Sequence, residues 1–190
     1  MSVQPDLFST APALPAGLRY APDLISAAHE QQLLATFGAL PFKPFEFHGY
    51  LGKRRVVAFG WRYDYSARSV GEAAPIPDFL LPLRARVAAF SGIPEAELRQ
   101  AMIIEYEPGA GIGWHRDKPQ FGEVIGVSLG SPCNLRFRRK AADGWERLSL
   151  TPAPRSAYLL DGPARWEWEH SIPGVKTLRY SVTFRRYLGD

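Results

Sequence analysis

From Ala101 to the C-terminus the sequence is cut into short apolar or alternating runs, and that rhythm constrains the fold more than any other feature. The runs span 101–106, 112–118, 123–129, 134–139, 145–150, 156–160, 165–170 and 178–186, with Gly, Pro, Asp and Ser gathered between them. Each is of strand length and short for a helix. Eight such strands behind a helical start predict a double-sheet jelly roll or a barrel with helices on one side.

The helical start has two parts. Asp23 is placed to cap a helix running to Phe37, with Leu24, Ala27, Ala28, Leu33, Leu34 and Phe37 as its apolar stripe. Pro77 to Phe90 reads as a second helix, which buries Leu80, Leu83, Val87 and Phe90 and stops at Gly92. Residues 67–76 between them read as a loop. Residues 1–20, with Pro5, Pro12 and Pro15, read as a loose arm ending in a short strand near Gly17–Tyr20. The expected class is α+β, mostly β, with residues 21–190 as a single domain.

The formal net charge is +4 over 190 residues, which favours polyanionic partners over acidic ones. Cys133 is the only cysteine, so an intrachain disulfide and a thiolate cluster are excluded. No apolar run approaches the ~18–20 residues that cross a membrane as a helix. The stretch Met1–Phe8 has neither the basic start nor the apolar core of a secretory signal. A soluble, cytoplasmic monomer without a membrane partner is expected.

His115 and Asp117 stand two apart in the run 112–118. On a strand such residues share a face, about 7 Å apart, and can close on one metal ion. The chain has only four histidines, His29, His48, His115 and His170. His29 falls on the first helix as a surface or packing residue. His170 ends the alternating run Arg165–His170, 55 residues beyond His115, far enough for several strands to return. Two imidazoles and one carboxylate with open positions form the ligand set of mononuclear non-haem Fe(II) oxygenases. A His-x-Asp pair by itself is common by chance.

The last run adds a second signal. Alternation puts Arg179, Ser181, Thr183 and Arg185 on one face and Leu178, Tyr180, Val182 and Phe184 on the other. The polar face reads either as a solvated surface or as a clamp for a small dicarboxylate, which arginine binds through bidentate, charge-assisted hydrogen bonds. Residues 45–66 also carry two readings. Phe45, Phe47, Tyr50, Val56, Val57, Phe59, Trp61, Tyr63 and Tyr65 alternate with His48, Lys53, Arg54, Arg55, Arg62 and Asp64, and Leu51-Gly52 would turn a hairpin. The hairpin packs its aromatics on the core, or it is a lid. As a lid it would present aromatic faces to a nucleotide, where stacking is worth roughly 1–3 kcal/mol per base, and arginines to the flanking phosphates. A second basic cluster, Arg136, Arg138, Arg139 and Lys140, is either a further strand contact or a solvated hairpin tip.

Taken together, His115-Arg-Asp117, His170 and the Arg179-x-Ser181-x-Thr183-x-Arg185 strand resemble the AlkB family of Fe(II)- and 2-oxoglutarate-dependent dioxygenases. The segment Ile104-Glu-Tyr106-Glu-Pro-Gly109 resembles the family's Asn-x-Tyr-x-x-Gly, with Ile104 in place of the asparagine. Ser181 likewise stands where the family has asparagine. The resemblance covers roughly residues 40–186. It implies a double-stranded β-helix (jelly-roll) core with the N-terminal helices packed on one sheet. It implies Fe(II) on His115, Asp117 and His170, and 2-oxoglutarate held by Tyr106, Arg179, Ser181 and Arg185, with O2 as the oxidant. The implied reaction is oxidative demethylation of N-alkylated bases, releasing formaldehyde and succinate, with alkylated DNA expected ahead of RNA. A dioxygenase of the same mechanism acting on a protein or small molecule is the alternative. Repair members hold a flipped base against an aromatic, which implies Trp61, Tyr63 or Tyr65 as stacking residues and Arg54 and Arg55 as phosphate contacts. Pro119 stands where repair members often carry an acidic residue that discriminates the base.

Overall fold

The computed structural model describes residues 14–47, 50–64 and 69–189. In chain order these form β1 (Leu18–Ala21), α1 (Ala27–Phe37), β2 (Lys43–Phe47), β3 (Tyr50–Asp64), β4 (Ser69–Glu72), α2 (Leu81–Ser91), β5 (Leu98–Tyr106) and β6 (Ile112–His115). There follow β7 (Phe121–Leu129), β8 (Leu135–Ala141), β9 (Gly144–Leu150), β10 (Ala157–Leu160), α3 (Gly162–Trp166), β11 (Glu169–Ile172) and β12 (Arg179–Tyr187). The major sheet runs β1-β10-β7-β12-β5-β3-β2, with β4 added on β3, and the minor sheet runs β6-β11-β8-β9. Every pairing is antiparallel. This is the double-stranded β-helix, with helices against the major sheet. No described helix is long and apolar enough to cross a membrane.

Strand alternation sorts the major sheet into two cores. Ile103, Ile125, Val127, Leu159, Val182 and Phe184 face one way and pack with Leu33, Phe37, Leu80, Leu83 and Val87 from the helical layer. Their neighbours Ile104, Tyr106, Val124, Tyr158 and Leu160 face the other way, toward Leu135, Phe137 and Ile172 of the minor sheet. Apolar residues on both faces explain why several runs read as nearly continuous. The helix-side core also takes a charged group from the major sheet. Glu105 is buried there, accepting from Arg55 Nε at 2.6 Å and from the Tyr180 hydroxyl at 3.0 Å.

Several local boundaries differ from the sequence expectation. Ser26, not Asp23, caps α1, accepting from the His29 amide at 3.2 Å, while Asp23 adopts φ 48° and pairs with Arg155. The second helix begins as a 3-10 turn at Asp78–Leu80, and Pro82 sits in the first turn of α2, where no amide is needed. Leu51 and Gly52 lie inside β3, because Glu46 pairs with Leu51 and Phe47 with Tyr50. The connection therefore runs through 48–49, outside the described residues. Ser69–Glu72 is a strand on β3 rather than loop. The run 165–170 divides between α3 and β11, and 112–118 stops being strand at His115. Leu18–Ala21, placed at the end of the arm, is an integral edge strand paired with β10. The rest of that arm, residues 1–13, lies outside the described residues.

The glycine-rich loop between β5 and β6 sets the spacing of the two sheets' ends. Gly109 N donates to Val175 O at 2.8 Å, and Val175 N returns a bond to Ala110 O at 2.9 Å. A Cβ on Gly111 would lie 2.5 Å from the Ile172 carbonyl oxygen, and one on Gly174 would lie 3.1 Å from that of Gly109. The loop is thus pressed against the backbone that follows β11, the strand of His170. Gly111→Ala should cost about 1–3 kcal/mol, as overpacking does against rigid backbone. Gly113→Ala, with nothing within 4 Å of its Cβ, should be near neutral. Urea unfolding midpoints of the two variants decide this, and equal midpoints would contradict the packing argument.

Candidate metal centre and its arginines

β6 and β11 are neighbours in the minor sheet, with His115 and His170 as register partners. Their rings lie 4.3 Å apart between centroids. His115 Nδ1 is 2.9 Å from Gly113 O. A carbonyl can only accept, so Nδ1 carries the proton and Nε2 keeps a free lone pair. Asp117 arrives by a different route from the one its spacing suggests. It lies beyond the end of β6 and is drawn inward by Arg185, whose Nε and Nη2 reach its Oδ1 at 2.8 and 2.7 Å. Oδ2 remains, 3.5 Å from His170 Nε2. One donor atom from each of His115, Asp117 and His170 falls within 4.8 Å of the others, a group that could hold a metal ion. Arg185 completes its own bonding by donating from Nη1 to Gln100 Oε1 at 2.9 Å, and Gln100 Nε2 donates to Trp61 O at 2.8 Å.

The polar face of β12 is not solvated. Arg179 is 0% exposed, Ser181 3%, Thr183 4% and Arg185 8%, so all four point between the sheets. Arg179 Nη2 donates to Ser128 Oγ at 3.2 Å, and its guanidinium carbon lies 5.0 Å from the Tyr106 ring centroid. Its Nε and Nη1 are buried with no partner. Orphaned guanidinium N–H groups facing an inner cleft suit a carboxylate. Ile104 and Ser181 are register partners beside them, and Ser128 pairs with Ser181 from the other side. Tyr158 was not singled out in the sequence. Its ring covers Gly126, where a Cβ would come 2.2 Å from Cζ. The available signal for Ser128 was its even spacing with Val124 and Gly126, inward between the apolar Ile125, Val127 and Leu129.

The hairpin residues divide. Arg54 stacks 3.8 Å over the Phe45 ring, and its charge lowers the pKa of both His115 and Tyr106, which places it on the cleft side. Arg55 faces the helices instead, in the Glu105 pair and 3.7 Å from Glu107, and is not part of the cleft. Trp61 stacks on Tyr187 at 4.6 Å and 19°. Tyr187 adjoins Phe121, and Phe121 underlies Arg185, so Trp61 ends an aromatic series leading to Asp117. Tyr63 pairs with Val70 across β3 and β4. Its side chain lies outside the described residues, as does Tyr65. A further residue missed in the sequence is Arg165, which is buried and donates to the carbonyls of Lys118, Phe121 and Gly122. It staples the segment that leads from Asp117 into β7.

Burial lowers the pKa of His170 to about 3, with His115 adding to the shift and Asp117 opposing it. Burial likewise lowers His115, against Asp117 and the Gly113 carbonyl. Burial alone would raise Asp117, but Arg185, His170, His115 and Arg165 outweigh it and hold the carboxyl well below its usual range. Both imidazoles are therefore neutral and the carboxylate ionised at neutral pH, the protonation states a metal requires. Tyr106 is raised by burial, against Arg179 and Arg54, and stays a hydroxyl donor. Unfolded histidine takes up a proton below about 6.5, whereas folded His170 resists it down to about 3. The unfolded state binds more protons across that window, so the metal-free protein loses stability as pH falls through it. The stability held by the depressed Asp117 carboxyl is lost lower, below the ordinary carboxylate range. The urea midpoint of the metal-free protein should fall between about pH 7 and 5, and His170→Gln should fall less. An equal fall in both would remove His170 as the cause.

Comparisons with known proteins agree with this geometry. The family model described as the 2OG-Fe(II) oxygenase superfamily matches residues 17–185. An Arabidopsis thaliana protein named alkylated DNA repair protein ALKBH8 homolog is 32% identical over 184 residues, covering 84% of this chain and 51% of its own length. Mouse (Mus musculus) tRNA (carboxymethyluridine(34)-5-O)-methyltransferase ALKBH8 is 30% identical over 181 residues, covering 91% of this chain and 27% of its own. The chain thus spans about half or less of these relatives. The solved structure of OsALKBH1 superposes with a TM-score of 0.68 at 15% identity, over 90% of this chain and 97% of that one, a likeness of fold. The chain belongs to the 2OG-Fe(II) oxygenase superfamily as an AlkB-like dioxygenase.

Proposed function

We propose that this dioxygenase oxidises a modified base in nucleic acid, RNA before DNA, with Fe(II) held by His115, Asp117 and His170 and 2-oxoglutarate by Arg179. The observation that carries the reading is the buried Arg179 guanidinium, with two unpartnered N–H groups, on the same inner face as Arg185, which holds Asp117. Iron with 2-oxoglutarate and O2 supplies the oxidising power when bound. The chain's residues supply position and charge. His115 offers Nε2, Asp117 offers Oδ2 while Arg185 fixes Oδ1, and His170 closes the triad. Arg179, through its unpartnered Nε and Nη1, would hold the distal carboxylate, with the Tyr106 hydroxyl as a second donor and Ser181 and Ile104 as the pocket wall. Arg54, on the cleft side, and Trp61, at the end of the aromatic series, are the candidates to meet an entering base.

The order of substrates departs from the sequence expectation of DNA first. Both relatives are named ALKBH8; the Arabidopsis name speaks of alkylated DNA repair, while the mouse name specifies tRNA, and the reading follows the more specific substrate. Pro119 is exposed and has no charge with which to read a cationic lesion. The position of the oxidised carbon decides the product. A carbon bound to nitrogen, once hydroxylated, would be lost as aldehyde when its C–N bond breaks and the nitrogen takes up the hydroxyl proton, whereas a hydroxyl on a carbon bound only to carbon would stay.

Three measurements test this reading. Asp117→Ala and His170→Ala should each lose metal-dependent succinate formation, and wild-type rates in either would remove the triad. Arg179→Met should raise the KM for 2-oxoglutarate by about 30-fold, the ~2 kcal/mol of a charged hydrogen-bonded contact. An unchanged KM would put the cosubstrate elsewhere. Nucleoside mass spectrometry after reaction with tRNA, single-stranded RNA and DNA carrying 1-methyladenine or 3-methylcytosine should show a gained oxygen or a lost alkyl group on RNA. Turnover on DNA alone would reverse the order, and none on any nucleic acid would sink the substrate class.

A further inference from the structure

The minor sheet has a second face, turned away from the metal ligands. Along β8, Leu135 and Phe137 are buried between the sheets, so Arg136, Arg138 and Lys140 point outward. Arg147 of β9 lies directly across from Arg138, and Trp145 across from Lys140. Trp114 of β6 joins them. The Arg138 guanidinium carbon is 4.5 Å from the Trp114 ring and 4.3 Å from that of Trp145. Arg136 lies 5.0 Å over Trp114, and the Lys140 ammonium 5.1 Å over Trp145. Four cations thus share this face with one carboxylate, Glu169, which Arg138 already holds at 2.6 Å. The surplus of three compares with +4 for the entire chain.

We propose that this outer face is a docking platform for the phosphate backbone of RNA, which holds the body of the substrate while one base reaches the metal. The proposal rests on the nucleic-acid reading above. Three features argue for a polyanion rather than a merely solvated face. Arg138 and Arg147 are directly opposed across two strands, an unfavourable like-charge pair that an interposed anion relieves. Arg147 and Lys140 are exposed and have no carboxylate partner among the described residues. The tryptophan rings and Ser171, whose Oγ accepts from Arg136 at 3.1 Å, hold the guanidiniums in place before binding, which reduces the ordering cost. Alternate cations of β8 stand about 7 Å apart, in step with successive phosphates of an extended strand. β6 is one of the two edge strands of this sheet. A nucleic-acid chain crossing the platform leaves it beside Trp114, next to His115.

The test uses the double variant Lys140→Glu/Arg147→Glu, remote from the triad, with Lys140→Gln/Arg147→Gln as a milder second form. Affinity for unmodified tRNA is read by fluorescence anisotropy over a salt series, beside 2-oxoglutarate turnover without RNA and the thermal unfolding midpoint. The Glu pair should bind tRNA at least ten-fold more weakly at low salt. The slope of log affinity against log salt should be shallower by about 1–2, roughly one phosphate contact per cation lost. RNA-free turnover should be unchanged. If the Glu pair is unstable, the Gln pair must show the shallower slope alone. Wild-type affinity and slope in a folded variant would overturn the platform and leave the nucleic-acid reading standing. No tRNA binding by the wild-type protein at low salt would overturn both. Tighter binding to phosphatidylserine vesicles than to tRNA, lost in the variant, would assign the face to a membrane and overturn the proposal.

Discussion

Two guanidiniums buried between the sheets govern the rest of the cleft. A buried cation costs several kcal/mol unless opposite charge and hydrogen bonds compensate it. Arg185 is compensated in full, by both contacts to Asp117 and by Gln100. Arg179 is compensated only in part, by Ser128, the face of Tyr106 and the Cys133 sulfur. The difference separates their tasks. Arg185 belongs to the protein, and its charge keeps Asp117 ionised and fixes which oxygen is left for a metal. Arg179 is an incomplete contact whose missing half is anionic. A ligand that fills it is bound and stabilises the fold in one act, by mass action on the native state.

How much of this was legible follows from period 2. The alternation of β12 separates Arg179, Ser181, Thr183 and Arg185 from Tyr180, Val182 and Phe184 without ambiguity, and the structure keeps that division. What alternation cannot say is whether a polar face meets water or another sheet. That depends on the minor sheet lying across the cleft, a contact between segments far apart in the chain. Asp117 shows the opposite failure. Its spacing from His115 suggests one strand, yet the strand ends and an ion pair with a residue 68 positions away does the aligning. Ser128 and Tyr158 were hidden because a serine or a tyrosine in an apolar run looks like packing. Arg54 and Arg55 show how fine the resolution must be. One residue of difference sends one to the cleft and the other to Glu105.

The glycines of the β5–β6 loop bear on the same site through shape rather than charge. Gly111 has no room for a side chain and Gly174 little, because the two loops touch backbone to backbone. That contact ties the entry to β6 to the exit from β11, so His115 and His170 cannot drift apart without breaking the bonds between Gly109, Ala110 and Val175. Arg165 does the corresponding work after Asp117, by holding three carbonyls at the entry to β7. The three candidate ligands are thus carried on irregular or short segments that neighbouring backbone and Arg165 hold in place.

The minor sheet turns this pinning into a constraint on both of its faces. His115 and His170 project inward from strands whose next residues, Trp114, Glu169 and Ser171, project outward among the cations of β8. A slip of one residue in β11 would exchange His170 for Glu169 or Ser171 and reverse both faces together. The Arg138–Glu169 pair and the Arg136–Ser171 bond fall on that same register. The outer contacts therefore help to specify the inner geometry. A sheet that needed only to be soluble outside would be specified by its inner face alone, and its outer cations could have been dispersed. Their concentration opposite the ligand strands gives one set of pairings two consequences, an aligned triad within and an ordered basic surface without.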